Sequence, residues 1–235
     1  MPHPLWTELA NRANRTLSDE QGQRLSKYLD LLLEANQRMN LTRIVDRESA
    51  EVQHVGDALT LLKYLPQTNA QVADVGSGGG VPGLPLAIVL PDVQFVLFES
   101  TKKKAAFLEV AACELGLANV RISDLRAEDA GRDPKFRETF DAVVARAVGK
   151  MNWLAEWCLP LVRKGGVLLA MKGPKAAEEL PLAEHAIALL GGGSPDIHPA
   201  DLPGTSHHLI VEIRKTGKTP RIYPRAATAS KGTPL

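Results

Sequence analysis

Residues 74–83 read Asp-Val-Gly-Ser-Gly-Gly-Gly-Val-Pro-Gly, a glycine-rich stretch of the kind that binds nucleotide-like ligands. An apolar run, Val72 to Val75, precedes the glycines, and a second apolar segment, Val81 to Leu90, follows them. This order predicts a strand, a tight turn and the start of a helix. Glycine is needed where the backbone turns sharply and where a ligand contacts the main chain. We therefore predict a nucleotide-like ligand at this turn; a glycine-rich turn without a ligand is the alternative.

Two kinds of ligand fit the same loop. The G-x-G-x-x-G fingerprint of dinucleotide sites matches residues 78–83, and the D-x-G-x-G-x-G pattern typical of S-adenosylmethionine (SAM) methyltransferases matches Asp74, Gly76, Gly78 and Gly80. In a dinucleotide site the first glycine directly follows the strand. Here that glycine is Gly76, and the register then requires glycine at position 81, where valine stands. The Asp74 carboxylate would also repel a pyrophosphate but attract the ammonium of a methionine moiety, so we predict a SAM site.

Side chains at the ends of later strands are candidates for contacting the same ligand, because ligands of parallel sheets lie outside the carboxyl ends of the strands. Glu99 ends the second predicted strand, at about the 20-residue distance from the glycines at which an acid binds ribose hydroxyls. Ala127 and Glu128 follow the third strand, where a backbone amide and an apolar side chain would hold adenine. A surface acid and an ordinary polar loop are the alternatives.

The end of the fourth strand bears on the reaction. The chain reads Ala-Arg-Ala-Val-Gly from Ala145 to Gly149, without the Asn/Asp-Pro-Pro-Tyr/Phe run of adenine amino methylation and without the cysteine that cytosine-carbon methylation needs. Arg146 is a permanent cation and a poor general base. It could orient the methionine carboxylate, a phosphate or a guanine oxygen, or else form a buried salt bridge. Guanine N7 carries a free lone pair and needs no base, so this acceptor fits the pattern.

The charges indicate a polyanionic partner. The segment Ile213 to Leu235 holds six basic residues and no acidic one, whereas the rest of the chain holds 22 basic and 27 acidic residues. Lys102, Lys103 and Lys104 open a predicted helix, where positive charge opposes the helix dipole, so contact with phosphate would explain them better than local stability. A solvated terminus and a solvated charge run are the alternatives.

The order of apolar and polar segments along the chain predicts the strands and helices that position these residues. We predict an α/β, Rossmann-like SAM-dependent methyltransferase sheet, mostly parallel with an antiparallel edge strand, because strands alternate with helices from residue 71. The predicted strands are Val72–Val75, Val93–Phe98, Val120–Ser123, Phe140–Ala145, Gly166–Met171 and the late edge strand Leu209–Ile213.

The predicted organisation has three parts. Residues 1–66 form an N-terminal helical extension, residues 67–215 the SAM-binding methyltransferase domain, and residues 216–235 a basic C-terminal tail. In the extension, Ser18 and Gln21 form a capping box. No apolar run is long enough to span a membrane and no cysteine spacing suits a metal, so we predict a cytoplasmic protein without metal, membrane contact or protein partner.

Together these residues resemble the bacterial 16S rRNA guanine-N7 methyltransferase family (RsmG/GidB), over nearly the whole chain. The resemblance is carried most specifically by the continuation of the glycine loop, Val81-Pro82-Gly83-Leu84-Pro85. The other matching segments are Asn36 with Asn40-Leu41-Thr42, His54 with Asp57-Ala58-Leu59, Glu99-Ser100 with Lys102 and Phe107-Leu108, Arg126-Ala127-Glu128, Ala145-Arg146-Ala147, Lys172-Gly173 and Tyr223-Pro224-Arg225.

The resemblance implies transfer of a methyl group from SAM to N7 of guanine 527 in the 530 loop of 16S rRNA, with the small ribosomal subunit as partner. It implies SAM contacts at Gly76, Val81, Ala127, Glu128 and Arg146. It also implies candidate RNA contacts at Asn40, Lys102, Arg126, Lys172 and Arg225.

Three positions depart from the family pattern. Ala35 stands where tryptophan is usual, Glu99 where the ribose acid is usually aspartate, and His207 where a basic residue often precedes the last strand. The first and third bear on RNA contacts, and the second should leave cofactor binding intact. A small-molecule SAM methyltransferase and a non-catalytic ribosome- or RNA-binding protein remain the alternative functions; the register of the glycines makes a dinucleotide oxidoreductase the least favoured.

Overall fold

A single sheet forms the centre of the computed structural model, which describes residues 2–202, 208–226 and 233–235. Across these residues the strand order is β3-β2-β1-β4-β5-β7-β6. The strands are β1 Ala70–Val75, β2 Val93–Phe98, β3 Val120–Ser123, β4 Phe140–Arg146, β5 Val162–Lys172, β6 Asp196–Pro199 and β7 Leu209–Arg214. The pairings among β1 to β5 are parallel, whereas β7 is antiparallel to both β5 and β6. The predicted mostly parallel sheet is therefore confirmed.

One detail of the prediction needs correction. The antiparallel strand predicted near residue 209 is β7, but it lies one strand in from the edge, because β6 pairs on its outer side. Strand β6 has only four residues, largely exposed, and it lacks the apolar alternation by which a strand is recognised in a sequence.

Helices cover both faces of the sheet. They are α1 Pro4–Arg12, α2 Asp19–Met39, α3 Arg47–Ala50, α4 Asp57–Leu59, α5 Gly83–Val89, α6 Lys102–Glu114, α7 Ala127–Ala130, α8 Met151–Cys158 and α9 Ala176–Leu189. A π-helical segment, Glu51–Gly56, joins α3 to α4, and a 3-10 segment, Thr60–Tyr64, continues the run. No helix of the described residues is long and apolar enough to cross a membrane.

Residues that alternate along the central strands face two different hydrophobic cores, one on each side of the sheet. Val72 and Val144 face a core shared with α1, α2, α5 and α6, whereas Ala73 and Val143 face a core shared with α8 and α9. The N-terminal helices therefore pack on one face of the sheet. Helix α2 begins with the predicted capping box, in which Ser18 and Gln21 bond each other's backbone amides.

The segment after β7 is tied to the body over its described part. Arg137 donates to the carbonyls of Gly131, Thr219, Pro220 and Tyr223 at 2.7–3.2 Å. Lys215 is fully buried and donates to two carbonyls and to the hydroxyl of Thr219. At least one basic side chain of this segment, that of Lys215, is thus engaged inside the fold. Lys231 and His207 lie outside the described residues.

Candidate functional site

The glycine loop, residues 74–83, leaves the carboxyl end of β1 in a conformation that favours glycine. The backbone φ is +72° at Gly76, +54° at Gly78 and +93° at Gly80. A Cβ at Gly76 would lie 2.7 Å from Cγ2 of Val148, so a side chain there would meet both backbone strain and a clash. The loop therefore presents bare backbone at the end of the strand.

The Asp74 carboxylate holds the loop from beneath. Asp74 is fully buried, and its Oδ2 accepts a hydrogen bond from the backbone amide of Gly83 at 3.1 Å. Its Oδ1 has no hydrogen-bond partner among the described residues. Burial raises the pKa of Asp74 to about 7, against the smaller lowering effect of the Gly83 bond. In this structure Asp74 shapes the loop and does not line the cavities described below.

The raised pKa of Asp74 has a consequence for stability. Up to about pH 7 the native carboxyl keeps its proton, whereas the unfolded one loses it near pH 3.8. The contribution of Asp74 to the free energy of unfolding should therefore be lost as the pH rises from about 4 to about 8. We expect the wild type to lose a few kcal/mol relative to Asp74→Asn over this range. Denaturant titrations of both cofactor-free proteins at several pH values measure this difference, and a pH-independent difference would contradict it.

Helix α2 supports the loop from the N-terminal side. The Tyr28 hydroxyl donates to the carbonyl of Gly79 at 2.9 Å, and burial raises the pKa of Tyr28, so this hydroxyl stays protonated. A Cβ at Gly79 would lie 2.7 Å from Cδ1 of Leu32. The N-terminal helices are therefore part of the site's framework and fix the position of the loop.

Glu99, at the end of β2, faces the loop. Its Oε2 accepts from the backbone amide of Gly78 at 3.0 Å, and its Oε1 accepts from the amide of Thr101 at 2.8 Å. A carboxylate has about four acceptor positions, so two stay open for further donors. Glu99 is buried but lies on the wall of two cavities, as a ribose-binding acid would.

Three adjoining cavities run along the carboxyl ends of the strands. The Ala127 cavity, of about 180 Å³, is lined chiefly by Gly76, Glu99, Leu125, Arg126, Ala127, Glu128, Val148 and Trp157. The central cavity, of about 970 Å³, lies between the glycine loop and residues 40–44 and is also lined by Glu99, Lys104, Arg146 and Ala147. The Asp57 cavity, of about 260 Å³, is lined chiefly by Asp57, Arg146, Ala147, Lys172 and His208. Shared lining residues make the three a continuous path.

Arg146, at the end of β4, stands where the central and Asp57 cavities meet. Its Nε lies 3.2 Å from Oδ2 of Asp57, and its Nη1 lies 3.4 Å from Nδ1 of His54. The other ring nitrogen of His54 lies 3.0 Å from the hydroxyl of Thr42. The salt bridge weighed as an alternative therefore exists, yet the guanidinium also faces both cavities.

His54 is neutral in this arrangement. Burial, reinforced by the positive charge of Arg146, lowers the pKa of His54 to about 4. Because a guanidinium can only donate, Nδ1 of His54 accepts from Arg146, and the protonated Nε2 donates to Thr42. Both ring nitrogens of this buried histidine are thus occupied.

A family model for rRNA small subunit methyltransferase G (GidB) matches residues 21–202 of the chain. The chain belongs to the rRNA small subunit methyltransferase G family. It is 43% identical to "Ribosomal RNA small subunit methyltransferase G" of Pelotomaculum thermopropionicum over 230 residues, covering 97% of this chain and 96% of the relative. It is 44% identical to the protein of that name from Moorella thermoacetica, covering 94% of this chain and 92% of the relative.

Solved structures outside the methyltransferase G family share the fold. The M. jannaschii TYW2 structure in complex with AdoMet superposes with a TM-score of 0.51 at 16% identity, covering 73% of this chain and 77% of that one. A 16S rRNA (adenine(1408)-N(1))-methyltransferase from Catenulisporales acidiphilia gives a TM-score of 0.53 at 15% identity, with coverages of 66% and 88%. These likenesses confirm the predicted methyltransferase fold.

The five candidate RNA contacts differ in whether their side chains are exposed or engaged inside the protein. Asn40 lines the central cavity, where it ends α2 in a left-handed conformation. Arg126 is exposed at the Ala127 cavity, and Lys102 is exposed at the start of α6. The side chains of Lys172 and Arg225 are engaged internally: Lys172 with Glu179 and the carbonyl of Gly149, Arg225 with Glu156.

Sequence reasoning about the methyltransferase G site missed Trp157, which lines the Ala127 cavity beside Val148. A tryptophan in a helix gives no sequence signal that separates a ligand wall from a core. His54 and Asp57 lie in segments that match the family, but the sequence assigned neither residue a role. Their spacing of one helical turn places them on one side of the helical run, and this was the available signal. Among the described residues, no cluster of metal-ligating side chains could hold a metal ion.

Proposed function

We propose that this protein transfers the methyl group of SAM to N7 of guanine 527 in the 530 loop of 16S rRNA, without a general base. The observation that carries the proposal is the path of cavities along the strand ends. It begins at residues suited to adenine and ribose and ends at a fixed arginine–carboxylate pair. A site of this kind has one region for a cofactor and a second for an acceptor base.

The residues present fit the cofactor. The bare backbone at Gly76, where a Cβ would clash, permits close approach of a ligand. Glu99 would bind the ribose hydroxyls, and residues 127 and 128 with the indole of Trp157 would hold the adenine. The methionine part would extend along Gly78 and Val81 toward Arg146. Gly80 is buried beside Leu84 and Leu108 and shapes the turn. When bound, SAM supplies an electrophilic methyl group on a sulfonium.

The buried histidine supports a reaction without a base. His54 and Asp57 both pair with Arg146, but both nitrogens of His54 are engaged and its pKa is lowered to about 4, so His54 is a poor proton acceptor. Guanine N7 loses no proton on methylation, because its in-plane lone pair forms the new bond. The protein then needs to align the base and balance charge, which fixed groups such as Arg146 and Asp57 do well.

The exposed cations support an RNA substrate over a small molecule. Lys102 and Lys103 are exposed at the first turn of α6 and form no ion pair within the described residues. Positive charge there opposes the helix dipole, so these lysines cost local stability that phosphate contact would offset. Arg126, Asn40 and residues 216–226 would extend the RNA contact around the cavity mouths. Because its proposed substrate is 16S rRNA, we place the protein in the cytoplasm.

We propose that the chain is divided into an N-terminal extension (1–66), a SAM-binding domain (67–215) and a tail (216–235). Helix α2 contributes Leu32 to the wall of the central cavity, and Tyr28 holds the loop beside it. We therefore assign the extension a direct part in forming the site.

Methyl transfer from labelled SAM separates the candidate functions. The protein is incubated with small subunits or deproteinised 16S rRNA lacking the modification, and in parallel with a pool of metabolites. Label in the rRNA supports the proposal. Label in the metabolite pool alone would favour a small-molecule methyltransferase, and SAM binding without transfer to any acceptor would favour a non-catalytic RNA-binding protein.

A further inference from the structure

The Asp57 cavity has a size and a wall chemistry that the cofactor does not use. At about 260 Å³ it lies below the range of about 300–1,000 Å³ typical of small-molecule pockets, so it suits one flat ring system rather than a whole nucleotide. It meets the central cavity at Arg146 and Ala147. A group held in the Asp57 cavity would therefore lie directly beside anything bound along the glycine loop.

The wall of this cavity carries a donor and an acceptor side by side. Nε of Arg146 lies 3.2 Å from Oδ2 of Asp57, and the other carboxylate oxygen of Asp57 lies 3.1 Å from Nδ1 of His208. The Asp57 side chain is only 4% exposed, so its orientation is fixed from two sides. The carboxylate keeps open acceptor positions, and Nη2 of Arg146 has no hydrogen bond to the described residues.

The charges disfavour an anion in this cavity. The Asp57 carboxylate lies on its wall and is paired with Arg146 and His208. The amine of Lys172 is held 2.7 Å from Glu179 and 2.7 Å from the carbonyl of Gly149. A phosphate would face a fixed negative charge with little free positive charge to balance it. A neutral ring with its own acceptor and donor edge is the better match.

We propose that Arg146 and Asp57 read the Watson–Crick edge of the target guanine, with Arg146 donating to O6 and Asp57 accepting from N1–H. The inference rests on the proposed function and adds the residues that select the base. Guanine presents O6 and N1–H next to each other as acceptor and donor, the complement of this pair. A flipped base of this kind is commonly read by hydrogen bonds to that edge.

This pairing also determines which atom of guanine faces the methyl group of SAM. On guanine, N7 lies on the far side of O6 from N1, so O6 at Arg146 and N1 at Asp57 direct N7 past Arg146, toward the central cavity. Adenine presents a donor where guanine has O6 and an acceptor where guanine has N1–H. It could satisfy the same two residues only when turned over, and its N7 would then point away from the central cavity.

The test combines a change in the protein with a change in the base. Wild type and Asp57→Ala, both full length, are assayed with 16S rRNA carrying either guanosine or N1-methylguanosine at the target position. The N1-methyl group should lower kcat/KM of the wild type at least about tenfold. In Asp57→Ala, which lacks the carboxylate and leaves room, the same methyl group should cost less than about threefold, even though overall activity falls. Asp196→Ala, an exposed acid on β6, should behave as the wild type.

The outcomes are separable. Equal N1-methyl penalties in wild type and Asp57→Ala would overturn the assignment of Asp57 while leaving the proposed function intact. Absence of methyl transfer to guanosine by the wild type would overturn both. Asp57→Ser, which also lacks the carboxylate and leaves room for the N1-methyl group, provides the same comparison should the alanine variant unfold. Adenosine at the target should accept no methyl group from the wild type.

Discussion

Replacing Arg146 with alanine should lower kcat/KM for methyl transfer about 100-fold, the effect of losing the alignment of a reacting group. Its guanidinium lies between the central and Asp57 cavities, where it is fixed by Asp57 and His54. The change removes the donor that we propose for the acceptor base and leaves the Asp57 carboxylate with His208 alone. Single-turnover transfer from labelled SAM to unmodified rRNA measures the effect.

The controls separate chemistry from folding. Arg163→Ala removes an arginine that pairs with Asp141 near the start of β5, at the opposite end of the sheet, and should leave turnover unchanged. Arg146→Lys keeps the charge but cannot reach both partners through a planar fork, so it should recover only part of the loss. A variant of Arg146 that melts as the wild type does and turns over normally would remove this residue from the mechanism.

Gly76→Ala should weaken SAM binding at least about tenfold, because the loop would have to move where the cofactor approaches the backbone. The new Cβ would lie 2.7 Å from Cγ2 of Val148 at a φ of +72°. Gly116→Ala is a matched control, since Gly116 has a φ of +63° but open space around its Cβ position. Both variants carry about 1–2 kcal/mol of backbone strain, so the difference between them isolates the close approach.

Equilibrium dialysis with labelled SAM and thermal unfolding measure the two effects separately. Gly116→Ala should melt earlier than the wild type but bind SAM normally. Equal SAM affinities of the Gly76 and Gly116 variants would show that the glycine loop is a structural turn and not the cofactor cradle.

The sequence predicted the positions of the parallel strands because most of them are short apolar runs followed by a glycine or a charged residue. Strands β2 and β3 have the predicted bounds, and β4 extends one residue further to Arg146. Strand β6 was missed since its four residues lie on an edge and carry no alternating pattern. Hydrophobic periodicity could not identify the π-helical segment that carries His54, because it does not distinguish π-helical from α-helical turns.

The sequence predicted those parts of the site that lie in one loop or at the ends of parallel strands. The glycine loop and the strand-end residues Glu99 and Arg146 are close in space because parallel strands end at one edge. Contacts between distant segments were not visible: the packing of Tyr28 on the loop, and the pairing of Arg146 with Asp57, depend on how the N-terminal helices dock. Counting charges also could not show that Arg225 is held by the buried Glu156.

The position of the transferred methyl group distinguishes methylation of guanine N7 from transfer to any other atom of the rRNA. An N7-methylated guanosine becomes open to borohydride reduction and aniline cleavage of the RNA chain, so primer extension on 16S rRNA treated with the protein and SAM locates it to one nucleotide. We expect a single new stop at guanine 527 that depends on SAM and is strongly reduced with Arg146→Ala. Methyl label in the rRNA without that cleavage, or cleavage at another guanine, would contradict it.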